Sequence, residues 1–102
     1  MSPVSEKLLQ KRVTRFEHVH DYTQIYFHDG SVLNIFNAFT IKNGNPATLI
    51  EKSVAEVHSD LKSIKIIFSH QDEIRVGMEE SDFNGPEAME LIEADNSRFV
   101  WP

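Results

Sequence analysis

The chain has 102 residues, 40% of them hydrophobic, a formal net charge of −6 and no cysteine. That length suits one domain with its own core, and the missing thiols exclude disulfides, thiolate metal sites and cysteine nucleophiles. Nine acids lie between Asp72 and Asp95 against Arg75 alone, so this stretch carries −8 and the remainder +2. A field of that sign disfavours nucleic acid and anionic membrane as partners and favours a basic protein surface.

In chain order, Ser2 and Pro3 are suited to start a helical segment through VSEKLLQKR with Leu8 and Leu9 toward the body. This N-terminal stretch lacks the apolar core of a signal peptide, and no run approaches the roughly 18 apolar residues of a membrane span, so the expected location is cytoplasmic. VTRFEHV, TQIYF and VLNIF then alternate apolar and polar residues, the period of half-buried strands. Asp29-Gly30 between the last two can take the positive φ values of a tight hairpin. Asn45 as cap and Pro46 as first helical residue predict one or two turns over 46–51. VAEV, SIKIIF and EIRVGM repeat the strand pattern, with HQDE as a looser turn between the last two.

The two stretches match at an offset of 41 residues. Val13 falls on Val54, Phe16 on Val57, Ile25 on Ile66, Phe27 on Phe68, Leu33 on Ile74 and Ile35 on Val76. The expectation is a single domain over 1–102, mainly β (β-rich α+β). Its internal pseudo-repeat, 13–41 and 54–78, forms two three-stranded antiparallel meanders in a small barrel or a sandwich, with short helical segments at the N-terminus and between the halves. Ile25, Phe27, Leu33 and Ile35 should meet Ile66, Phe68, Ile74 and Val76 in the core.

After the sixth strand, NGPEAMEL breaks the pattern. Asn84 tolerates left-handed backbone, Gly85 has no side chain and Pro86 lacks an amide donor, so a turn is forced there. Pro86 is placed to open a helical turn that brings Met89 and Leu91 to the core. SRFVWP then reads as a closing strand with Phe99 and Trp101 on one side and Val100 on the other.

The spacing of VTRFEHV, YTQIYFHDGSVLNIFNAF, LIEKSVAEV, IKIIFSHQDEIRV and SDFNGPEAMEL with a closing FVW resembles small uncharacterised bacterial proteins that end in an N-G-P-E-A turn and a V-W strand. Some of these resemble immunity components of toxin systems. The resemblance implies Asn84, Gly85, Pro86, Glu87 and Ala88 as a structural motif with Trp101 beside it, and it implies no catalytic residue.

Catalytic patterns are absent from the sequence. No serine lies in a G-x-S-x-G elbow and no glycine cluster makes a phosphate loop, which favours a non-enzymatic role without a cofactor. His18 and His20, with His28 one strand later, suggest a three-histidine metal site, but the carboxylate that such a site needs is misplaced. His58 and His70 read as surface residues. Three functions follow. The leading one is an acidic, immunity-like interaction domain that presents Glu79, Glu80, Asp82, Glu87 and Glu90 to a basic protein partner. The others are a small-ligand or metal-binding barrel using His18, His20 and His28, and an oligomeric accessory domain, such as a homodimer built on exposed strand edges like VLNIFNAF.

Overall fold

Period-two alternation decides which strands form, and the computed structural model, which describes residues 6–101, places them in two antiparallel sheets. The strands are β1 (Val13–Val19), β2 (Tyr22–Phe27), β3 (Val32–Ile35), β4 (Phe39–Lys42), β5 (Val54–Ser59), β6 (Ser63–Phe68), β7 (Glu73–Gly77), β8 (Met89–Ile92) and β9 (Arg98–Trp101). A short helix, α1 (Pro46–Leu49), precedes β5. As expected, Asn45 caps it: the Asn45 side chain accepts from the Thr48 N–H at 3.1 Å, and the Thr48 hydroxyl accepts from the Asn45 N–H at 2.9 Å. The cap and first-turn proline expected at Ser2 and Pro3 lie outside the described residues, but Leu8 is fully buried and Leu9 packs on the core.

One sheet has the order β1-β2-β3-β8-β9 and the other β4-β7-β6-β5. Both expected meanders are therefore present, as a sandwich of open sheets rather than a closed barrel. All eight side chains expected in the core are buried, and they belong to one cluster drawn from both sheets. Each large aliphatic side chain removed from water contributes about 2–3 kcal/mol.

The fourth strand of each half changes sheets. β4 leaves the first meander and pairs with β7, while β8 leaves the second and pairs with β3. Corresponding pairs keep the same register: Phe16 faces Ile25 as Val57 faces Ile66, and Ile25 faces Leu33 as Ile66 faces Ile74. A β-bulge between Val13 and Arg15 recurs between Val54 and Glu56. The halves meet where Arg12 bridges Ser53; there the Val13 N–H donates to the Lys52 carbonyl and the Val54 N–H to the Lys11 carbonyl, both at 2.9 Å.

Beyond β3 and β7 the offset grows. Phe39 corresponds to Met89 and Ile41 to Leu91, a spacing of 50 instead of 41, so the second crossover holds nine more residues than the first. Part of that insertion is a 3-10 turn, Glu80–Asp82, in which the Asp82 carboxylate accepts from the Glu79 N–H at 3.1 Å. The rest holds Asn84 to Glu87.

Three local expectations need correction. The helical turn predicted after Pro86 is absent. Met89–Ile92 is a strand, because Met89 and Leu91 alternate toward the core while β3 and β9 take up its backbone groups on both sides. Neither Asn84 nor Gly85 adopts positive φ, and a Cβ on Gly85 would meet nothing within 4 Å. Finally, VLNI in VLNIFNAF is not a sheet edge, since β3 lies between β2 and β8, whereas the closing Phe39 opens β4, which is one.

Candidate functional site

The register of the β2–β3 hairpin fixes the site. Thr23 faces Ile35, so Tyr22 and Phe36 stand opposite each other just past the end of the ladder, with ring centroids 5.4 Å apart at 51°. The inserted crossover is tied to Phe36 at both of its backbone groups. The Asn84 side chain donates to the Phe36 carbonyl at 2.9 Å, and the Phe36 N–H donates to the Ala88 carbonyl at 2.9 Å. The Ala88 N–H in turn donates to the Trp101 carbonyl at 2.7 Å, so the last residue of the turn lies beside Trp101. Asn84 thus acts through its amide group and not through a left-handed backbone.

The result is a half-open hollow of about 370 Å³, lined by Asp21, Tyr22, Phe36 and residues 84–87. It offers two partly buried aromatic rings and a proline ring as apolar surface, and carboxylates at Asp21 and Glu87. Aromatic faces and carboxylates together suit a cationic side chain, which gains both ring–cation attraction and charge pairing. Sequence reasoning singled out Asn84 to Glu87 but missed Asp21, Tyr22 and Phe36. Only the hairpin register, extended one pair beyond β3, would have put the two aromatic residues together.

The five acids expected on one surface are dispersed. Glu87 lines this hollow. Glu79 and Asp82 line a second one, of about 340 Å³, with Lys62 and Arg75, and Asp82 spends its carboxylate on capping the 3-10 turn. Glu80 is exposed on that turn. Glu90 is a correction: it is 6% exposed, opposite Asn34 in the β3–β8 ladder, where it accepts from the Asn34 side chain at 3.1 Å and from Arg98. Its position on a central strand under Arg98 removes it from any docking surface. Of the nine acids between Asp72 and Asp95, four are ion-paired among the described residues: Asp72 with Lys52, Glu73 with Arg75, Glu90 with Arg98 and Glu93 with Lys7. The charge available to a partner is correspondingly smaller than composition implied.

Two lysines clamp the hairpin turns of the two halves. Lys11 pairs with Asp29, and Lys52, its counterpart 41 residues on, pairs with Asp72 at 2.6 Å. The Lys52 ammonium holds the Asp72 carboxyl below its ordinary value against the opposing effect of burial, helped by the Thr48 hydroxyl at 2.8 Å. At Asp29 burial acts upward but is outweighed by Lys11 and by the hydroxyl and N–H of Ser31, which bring the carboxyl down to about 2. These carboxylates are structural.

The histidines do not converge. His18 lies beside Thr23 and bonds its hydroxyl at 3.2 Å, whereas His28 lies beyond the other end of β2 and accepts from the Arg12 N–H at 3.1 Å. Five residue steps of extended chain from Thr23 to His28 separate the two by roughly 16 Å. His20, with φ of 49°, occupies the β1–β2 turn. Among the described residues, no three histidine or carboxylate side chains are grouped so that they could hold a metal ion. His58 and His70 are exposed.

No family model, curated protein sequence or solved structure matches this chain.

Proposed function

We propose that the chain is a non-enzymatic interaction domain that binds a basic segment of a partner protein, with a lysine or arginine side chain entering the hollow between Tyr22, Phe36 and residues 84–87. One observation carries this reading. The nine-residue insertion that distinguishes the second crossover is hydrogen-bonded to Phe36, and it sets Glu87 and Pro86 against an aromatic pair that has Asp21 at its side. A hollow fixed before binding lowers the ordering cost of association. The exposed Glu79 and Glu80 on the same crossover add a negative field that speeds encounter with a basic surface and is screened by salt. The resemblance to small bacterial proteins, some of which resemble immunity components of toxin systems, fits the same role, as does a cytoplasmic location.

The test is a titration of the isotope-labelled protein with a short peptide alternating Lys and Arg with Gly, followed by amide chemical shifts at low and high salt. Shifts should concentrate at Tyr22, Phe36, Asn84, Gly85 and Glu87, and binding should weaken with salt and by about tenfold in Kd when Glu87→Gln and Asp21→Asn are combined, given about 1–2 kcal/mol for charged contacts of this kind. Binding spread evenly over the acidic surface, or indifferent to both substitutions, would remove the hollow from the account.

A further inference from the structure

β4 and β8 are counterparts 50 residues apart, and each uses one edge to pair with the third strand of the other half. Their second edges differ. On β8, β9 is added antiparallel: Arg98 faces Ile92, Phe99 faces Leu91, Val100 faces Glu90 and Trp101 faces Met89. With Phe99 and Trp101 turned inward, Met89 and Leu91 are completely buried. β4 ends its sheet, and Phe39 and Ile41, which stand where Met89 and Leu91 stand, remain only half-buried.

The backbone of β4 is arranged for a further strand. The Gly77 N–H donates to the Ala38 carbonyl at 2.9 Å, so the alternation of an antiparallel ladder turns Thr40 and Lys42 toward β7. The N–H and C=O groups of Phe39 and Ile41 therefore point along the open edge, where they have no partner among the described residues. Lys42 is exposed and takes part in no ion pair among the described residues. It occupies the position of Ile92, which β9 covers with Arg98.

We propose that the β4 edge is a docking site for an extended segment of a partner protein, which adds antiparallel as a fifth strand in the position that β9 holds on the other sheet. The segment reads acidic–apolar–any–apolar. Its two apolar side chains lie opposite Ile41 and Phe39 and complete their burial, its acid lies opposite Lys42, and its backbone bonds the free groups of Phe39 and Ile41. Lysine on an edge strand disfavours indiscriminate strand pairing, and a carboxylate in the incoming strand meets that restriction. The site is separate from the hollow at Tyr22 and Phe36 and does not depend on it.

The probe is a synthetic peptide with the sequence from Asn96 to Pro102 carrying Arg98→Asp, compared with the same peptide unchanged. The full chain is followed by amide shifts and hydrogen exchange. The expected result is saturable binding of the acidic peptide, slowed exchange at Phe39 and Ile41, and about tenfold weaker binding to a Lys42→Glu variant, which in turn prefers the unchanged peptide. Lys42→Glu alters an exposed side chain but sets it opposite Glu73 in the β4–β7 ladder, so Lys42→Gln, which should weaken binding of the acidic peptide without that repulsion, is measured beside it, and the amide spectrum of each variant reports its fold. Three results would overturn the proposal. One is the absence of any effect at Phe39 and Ile41. Another is perturbation centred on Met89 to Ile92, meaning that the peptide displaces β9. The third is protection of the β4 amides by the protein alone as its concentration rises, which would assign the edge to a second copy.

Discussion

The two halves of the molecule share a pairing scheme and differ in what joins it together. From Val13 to Ile35 and from Val54 to Val76, every cross-strand pair except Val19–Tyr22 has an equivalent 41 residues on. The crossovers to the opposite sheet are unlike. Counted from the equivalent residues Ile35 and Val76, three residues precede Phe39, whereas twelve, Gly77 to Ala88, precede Met89. The shared part is built from buried Val, Ile, Leu and Phe and serves stability. The unshared part lies on the surface and carries the 3-10 turn, the Asn84–Glu87 turn and one wall of the hollow. When two similar units are compared, the departures point to residues under a demand other than folding.

The largest test of the shared part is core truncation. Ile25 and Ile66 occupy corresponding positions, and both are essentially fully buried. Ile25→Ala and Ile66→Ala should each destabilise by about 2–5 kcal/mol in denaturant unfolding, and their values should lie within about 1 kcal/mol of each other. A much larger gap would mean that the equivalence stops at pairing and does not reach packing.

The lysine clamps come next. Each pair buries one partner, Asp72 at 2% exposed and Lys11 at 9%, and leaves the other nearer water, Lys52 at 24% and Asp29 at 39%. Asp72→Ala and Asp29→Ala should each cost about 1–3 kcal/mol, because each leaves a charged partner without its bond. Both folded carboxyls titrate below their unfolded value near 3.8, so the stability they contribute is present above about pH 4 and is lost as pH falls, toward about pH 2 for Asp29. Acid unfolding followed by circular dichroism should therefore move to higher pH in the Asp72→Asn variant. Glycine provides the smallest contrast. Gly30 has φ of 87° and its counterpart Gln71 has φ of 73°. Thermal unfolding should show Gln71→Gly stabilising by up to about 1 kcal/mol and Gly30→Ala destabilising by about 1 kcal/mol.

Much of the fold could be read from the sequence, because half-buried strands announce themselves by period and the 41-residue match aligned eight core positions in advance. The exchange of β4 and β8 could not. FTIK and MELI are four-residue strands with apolar residues at alternate positions, and period alone does not say which sheet they join. Pro86 also carried a helical expectation that cross-strand pairing overrode. For the candidate site, Asn84 to Glu87 drew attention as a break in pattern, whereas Tyr22 and Phe36 are joined by register, which is a tertiary property. Glu90, an acid between Met89 and Leu91, reads in the sequence as the exposed face of a strand, and sequence does not reveal that Arg98 and Asn34 enclose it.

The central claim is that the fourth strand of each half is exchanged, since this brings the inserted crossover against Phe36 and leaves β4 at an edge. Residues facing each other without direct hydrogen bonds in an antiparallel ladder have Cα atoms about 4.5 Å apart and give strong Hα–Hα cross-peaks. Leu33 and Leu91 form such a pair, as do Ile41 and Ile74. In a NOESY spectrum the account predicts Hα cross-peaks between Leu33 and Leu91 and between Ile74 and Ile41. Cross-peaks linking Leu33 to Ile41 and Ile74 to Leu91 instead would show each half folding its fourth strand back on itself, and would contradict the account.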